Sequence, residues 1–149
     1  MISRHKPAHC LIIDSRHSTI VFLTVCTHKR ISWLATEKNH LLLREVWQKS
    51  KAWIVGRYVL MPDHLHLFAA PGPRDLPFDN WVRYWKSQFT KCHQDPALSW
   101  QVDHWDRRLR HEESYEEKWL YVRENPVRAG LVRSVEDWPF QGELNALPW

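Results

Sequence analysis

Tyr58-Val59-Leu60-Met61-Pro62-Asp63-His64-Leu65-His66-Leu67-Phe68-Ala69-Ala70 decides the fold. It reads as two short strands broken at Pro62, with Met61-Pro62-Asp63 as a tight turn in which proline pre-sets φ. Trp53 to Leu60 and His64 to Ala70 therefore form a hairpin, which Pro71-Gly72-Pro73 ends. Side chains alternate across a strand, so His64 and His66 project from one face while Leu65 and Leu67 line the other. Two adjacent imidazoles at the start of an apolar strand are rarely needed for packing, and neutral imidazole is a good metal ligand. His-x-His by itself also fits an idle, solvent-facing pair. Its weight comes from a partner downstream.

Working outward, Ser18 to Thr27 is rich in β-branched and aromatic residues and predicts a central strand buried on much of both faces. His28-Lys29-Arg30 follows as a basic loop. Glu37 to Ser50 predicts a helix capped by Thr36, with Leu41, Leu42, Glu45, Val46 and Lys49 in a 3.6-residue pattern. Phe78 to His93 predicts a second helix. Trp81, Val82, Trp85, Phe89 and Cys92 lie along one side of it, and Arg83, Lys86, Lys91 and His93 along the other. That basic side suits either DNA or an ordinary solvated face. Leu98 to Asp106 has the aromatic density of a short strand. Asp106-Arg107-Arg108-Leu109-Arg110-His111 is the densest positive cluster, costly to bury and suited to phosphate. Ser114 to Glu124 predicts a third helix, with Ser114 and Glu117 at capping-box spacing. Pro126 pushes Asn125 out of the helical region, so a short second turn should follow and end at Gly130.

The 149 residues make one domain, with a basic arm over about residues 1–17 and a tail over about 131–149 anchored by Trp138-Pro139-Phe140. No apolar run reaches the roughly 20 residues of a membrane span. The N-terminus lacks the apolar core of a signal peptide, and a cytoplasmic protein is expected. Three cysteines, Cys10, Cys26 and Cys92, without C-x-x-C spacing argue against a disulfide framework or a zinc–thiolate site. A net charge of +4 and a pI near 9.1 lean towards a polyanionic partner. Of the ten tryptophans, most should be core, while one or two would serve as platforms for unpaired bases.

Tyr121 and Asn125 are four residues apart, which on a helix puts them on one face. Tyr121 is a candidate nucleophile and the Asn125 amide oxygen a candidate metal ligand. Two stretches, Val59 to His66 and Tyr121-Val122-Arg123-Glu124-Asn125-Pro126-Val127-Arg128-Ala129-Gly130-Leu131-Val132, carry a resemblance. The first resembles the "HUH" element, two histidines around one apolar residue, of the IS200-like single-tyrosine transposases. The second resembles the Tyr-Ile-x-x-Asn-Pro-Val-(Arg/Lys)-x-Gly segment of their REP-associated branch, with Val122 in place of Ile. Trp100-Gln101 and Asp106-Arg107-Arg108-Leu109-Arg110 look like that family's linking segment, and the likeness spans about residues 18–140.

The resemblance implies a ferredoxin-like α+β fold, an antiparallel sheet with helices packed on it. It implies metal-dependent cleavage and rejoining of single-stranded DNA at REP-type palindromic hairpins, in a bacterial cytoplasm, by a monomer or a homodimer. By similarity Tyr121 is the nucleophile, His64, His66 and Asn125 hold Mg²⁺ or Mn²⁺, and the product is a 5′-phosphotyrosine with a free 3′-OH. Asp63 would orient a ligand histidine or simply cap its turn. Arg83, Lys86, Arg107, Arg108 and Arg110 are candidate DNA contacts. An unperturbed phenol with pKa about 10 is ionised once in about a thousand molecules at neutral pH, a deficit of roughly 4 kcal/mol that a bound cation and alignment can offset. Tyr115 is a rival nucleophile without a ligand partner four residues on. Two other readings stand beside this one: a hairpin-binding module that does not cut, and a zinc hydrolase built on His64 and His66.

Overall fold

The computed structural model describes residues 19–149, and the basic arm expected over residues 1–17 lies outside them. The first strand, β1 (Val21–Thr27), is followed by a 3₁₀ turn (His28–Arg30) and helix α1 (Glu37–Lys49). Strands β2 (Trp53–Leu60) and β3 (His64–Pro71) form the hairpin, and α2 (Phe78–His93) leads to β4 (Trp100–Arg108). Helix α3 (Tyr115–Val122), the single turn α4 (Asn125–Arg128), a 3₁₀ turn (Val135–Asp137) and β5 (Gln141–Glu143) complete the chain. The sheet order is β4-β1-β3-β2-β5, with every pairing antiparallel. The first four strands and two helices are thus the βαββαβ unit of a ferredoxin-like fold.

Alternation along the strands divides the core in two. Val21, Leu23 and Val25 of β1 and Leu65, Leu67 and Ala69 of β3 face α1 and α2. Trp47, Trp53, Trp81 and Trp85 fill the space between, each almost fully enclosed. Removing one such side chain typically costs about 3–5 kcal/mol. On the opposite face Phe68 and Val59 pack against Tyr115, Trp119 and Val122 of α3 and against Trp138. That second face is the one His64 and His66 share with Phe68.

Several elements depart from the sequence-based expectation. Thr36 caps α1, its Oγ1 accepting from the Asn39 N–H at 3.1 Å. The buried stripe of α1, however, is Asn39, Leu43, Val46 and Trp47, and Leu41 is exposed. The large Trp47 indole fixes the rotation of the helix. Cys92, expected on the apolar side of α2, is exposed. Strand β4 runs to Arg108, so Arg107 and Arg108 belong to a strand and point to opposite faces. The C-terminal tail adds a strand: β5 pairs with β2 from Arg57↔Glu143 to Val59↔Gln141. Trp138 anchors it as expected, its Nε1–H donating to the Leu60 carbonyl at 2.9 Å.

Candidate active site

His64 and His66 lie on β3, inside the sheet between β1 and β2, with ring centroids 4.9 Å apart. Each ring is oriented through Nδ1. The His66 Nδ1 is 2.9 Å from the Oγ1 of Thr24, its partner across β1. Phe22 stacks on the same ring, centroids 5.2 Å apart and planes 17° from parallel. The His64 Nδ1 is 2.8 Å from the Asp63 carboxylate. Arg30 donates from Nε to the other carboxylate oxygen at 3.0 Å. It is placed there by a turn in which Lys29 and Arg30 both take left-handed backbone angles, φ 55° and 57°. Burial works against ionisation of Asp63, but the hydrogen bonds from His64 and Arg30 outweigh it and hold the carboxyl below its usual range.

Burial, reinforced by His64 and by the charge of Arg128, pushes the His66 imidazole down to about 3. A ring that stays neutral keeps its lone pair for a metal. Because both Nδ1 atoms are engaged, Nε2 is the coordinating atom left on each ring, the arrangement in which carboxylate and hydroxyl partners orient metal-binding histidines.

Helix α3 spans this same face. Ser114 caps it, accepting from the Glu117 N–H at 3.1 Å. Tyr115 and Trp119 turn inward onto Phe68, with ring centroids 5.0 and 6.4 Å away. Tyr121 turns outward and is 66% exposed. The Tyr121–Asn125 spacing does not run along one unbroken helix. α3 ends at Val122, Glu124 N–H bonds the Tyr121 carbonyl three residues back at 3.2 Å, and a new turn opens at Asn125, which is helical despite the proline that follows it. Arg128 joins the two instead. Its Nη2 donates to the Tyr121 carbonyl at 3.0 Å and to the Asn125 Oδ1 at 2.6 Å. Its guanidinium carbon stands 4.1 Å from the centre of the Tyr121 ring. The charge of Arg128 acts on His66, and the helix before this turn packs on the Phe68 face of the sheet that carries the histidine pair. Gly130, at φ 76°, ends it.

Tyr115 has a different employment. It is 7% exposed, and its Oη accepts the Arg57 backbone N–H at 3.0 Å. Burial foremost pushes its phenol up to about 12.

The five candidate DNA contacts scatter. Arg107 sits on the histidine face opposite Phe22 and forms a two-pronged ion pair with Glu113, 3.0 Å at each nitrogen. The Arg107 hydrogen bond, then that of the Arg110 N–H, pulls the Glu113 carboxyl down to about 2. Arg108 pairs with Val21 and so belongs to the other face. Arg108, Arg110 and Arg83 are exposed, Arg83 bonding Asn80 at 3.0 Å. Lys86 is not on the outer basic side expected for it. It is 8% exposed and donates to the carbonyls of Gln101 and Val102 at 2.8 and 3.3 Å, pinning β4 to α2.

No protein-family model matches the chain. A REP-associated tyrosine transposase of Escherichia coli K12 is 29% identical over 121 residues, which cover 80% of this chain and 73% of the relative. A Haemophilus influenzae protein of the same family name is 29% identical over 94 residues, 54% of this chain and 53% of that relative. The structure of the REP-associated tyrosine transposase bound to a REP hairpin matches with a TM-score of 0.70 at 29% identity, over 84% of this chain and 76% of that one. The chain is a homologue of the REP-associated tyrosine transposases.

Within that homology, three residues of the site escape the motif reading: Thr24, Arg30 and Arg128. Arg128 occupies the Arg/Lys position of the Asn-Pro-Val segment and so had a signal. Thr24 and Arg30 had none, because only strand pairing and the His28–Arg30 turn bring them to the histidines. Asn125 retains a second lone pair on the amide oxygen that Arg128 holds. Two imidazoles and one amide oxygen would leave several positions for water or phosphate oxygens, which suits a hard divalent cation. A separate cluster, Asp79, His104 and Asp106, also brings ligand atoms within 4.8 Å of one another. His104 and Asp106 pair with Val25 and Leu23, on the other side of the sheet. That cluster therefore ties α2 to β4 and lies outside the histidine site.

Proposed function

We propose that this chain is a single-stranded DNA endonuclease and strand transferase that acts at REP-type hairpins through Tyr121. The observation that carries the reading is the Arg128 bridge. It holds an exposed tyrosine and the Asn125 amide together on a turn whose positive charge acts on His66, one of two histidines oriented on the same side of the sheet. The solved relative bound to a REP hairpin supports the choice of substrate.

His64, His66 and Asn125 would hold Mg²⁺ or Mn²⁺, which when bound polarises a non-bridging oxygen of the scissile phosphate. The protein's own part is positioning. Thr24, Asp63 and Arg30 fix the imidazoles, and Arg128 fixes the nucleophile's turn. Tyr121 Oη attacks phosphorus in line, its proton passes to solvent, and the P–O3′ bond breaks. The 3′-oxygen takes up a proton, leaving a 5′-phosphotyrosine on the protein. Total bond energy is conserved, so an incoming 3′-OH reverses the step and joins strands without ATP. The non-cutting alternative has no use for so engaged a constellation around an exposed phenol.

The test is a hairpin cleavage assay in Mg²⁺ or Mn²⁺ with wild type, Tyr121→Phe and His64→Ala/His66→Ala. Loss of cleavage in both variants and in EDTA is expected. Retained cleavage by Tyr121→Phe would overturn the assignment. Hairpin binding without cleavage by any protein would favour the binding-module reading.

A further inference from the structure

We propose that Trp105 is a stacking platform for an unpaired base within about three nucleotides of the scissile phosphate, an inference that rests on the function proposed above. The ground for it is strand register. Trp105 pairs with Thr24 on β1, and Thr24 pairs with His66 on β3, so the three residues form one row across the sheet. Residues directly opposite in antiparallel strands share a face, and the packing confirms which face this is. Val25 and Leu23, partners of His104 and Asp106, belong to the core under α1 and α2, whereas Thr24 bonds His66 directly.

Trp105 is 54% exposed, unlike the tryptophans that fill the core. Among the described residues its indole has neither a ring partner nor a hydrogen bond. Among the described residues, strand β4 is the edge of the sheet and no further strand lies beside it. A large aromatic side chain left open gives up the burial that ordinarily stabilises such a ring. Here it lies beside the reacting centre of a protein whose substrate is single-stranded.

The reach is right for a neighbouring nucleotide. Two inter-strand steps separate the backbones of Trp105 and His66, about 10 Å. At about 3.4 Å per stacked nucleotide that is three nucleotides or fewer. Any base offers a π-face, so the platform would hold the strand in register without reading its sequence. The hairpin stem cannot use it, because its bases are already stacked on one another. The occupant is therefore a nucleotide of the unpaired flank.

The experiment measures binding of fluorescein-labelled REP-type hairpins with single-stranded flanks, in EDTA, by fluorescence anisotropy. The oligonucleotides carry one abasic site at each flank position in turn. The proteins are wild type, Trp105→Ala and Trp105→Phe, each checked for an unchanged melting transition. The expected result is that Trp105→Ala weakens binding about 5- to 150-fold, while Trp105→Phe keeps most of it. One abasic position should weaken wild type by a similar factor and have no further effect on Trp105→Ala. Equal binding by wild type and Trp105→Ala, or additive losses at every abasic position, would overturn the inference while leaving Tyr121 chemistry standing. Failure of wild type to bind any hairpin would overturn both.

Discussion

Replacing Arg128 by methionine removes the bridge while keeping the aliphatic stem. The lost interactions are a 2.6 Å charged hydrogen bond to Asn125, a 3.0 Å bond to the Tyr121 carbonyl and a guanidinium 4.1 Å from the tyrosine ring. A hydrogen bond to a charged group contributes about 1.5–3 kcal/mol, and an exposed cation–π contact about 0.5–1. Arg128 is exposed, so solvent replaces much of this in the ground state, and the melting temperature should fall by only a few degrees. What solvent cannot replace is the common orientation of Tyr121 and Asn125. If that orientation is realised in the transition state, the rate falls by the hydrogen-bond figure, about 10- to 150-fold. His66 remains neutral, because burial is the largest cause of its depressed pKa, so Mn²⁺ affinity should change little through that ring. The assay is single-turnover formation of the covalent protein–DNA adduct, read beside a thermal melt. A rate within twofold of wild type would refute the bridge as a catalytic positioning device.

Other expectations follow from the same geometry. Thr24→Val deprives His66 of its partner at Nδ1, and Mn²⁺ affinity measured by calorimetry should weaken about 10- to 100-fold. Tyr115→Phe loses the bond from the Arg57 N–H, so denaturant unfolding should show about 1 kcal/mol less stability with adduct formation intact. Glu113 has its folded pKa depressed from 4.5 to about 2, so its stabilisation is complete above the unfolded value and is lost as pH falls towards the folded one. Melting temperatures taken down through that acid range should therefore drop less steeply for Glu113→Gln than for wild type.

The fold was legible where local pattern and tertiary demand agree. The Pro62 turn and the alternation of His64-Leu65-His66-Leu67 set the hairpin and its faces, and both motifs fell on one side of the sheet. What stayed hidden was decided by partners far away in the chain. Gln141-Gly142-Glu143 has no strand propensity of its own and becomes β5 only because the edge of β2 is there to pair with it. Lys86 reads as a surface cation until the carbonyls of Gln101 and Val102 appear beneath it. Tyr115 and Tyr121 differ little in sequence context. Their separation into a buried support and an exposed candidate nucleophile depends on Phe68 and on the Arg57 backbone.

The most direct test of the central claim is peptide mapping of the covalent product. Wild-type protein is incubated with a REP-type hairpin and Mn²⁺, digested with nuclease and protease, and analysed by mass spectrometry. The account predicts a 5′-nucleotide joined to the phenol of Tyr121, absent when EDTA is present. A nucleotide on Tyr115 or any other side chain, or no adduct from a hairpin that the protein binds and cuts, would contradict it.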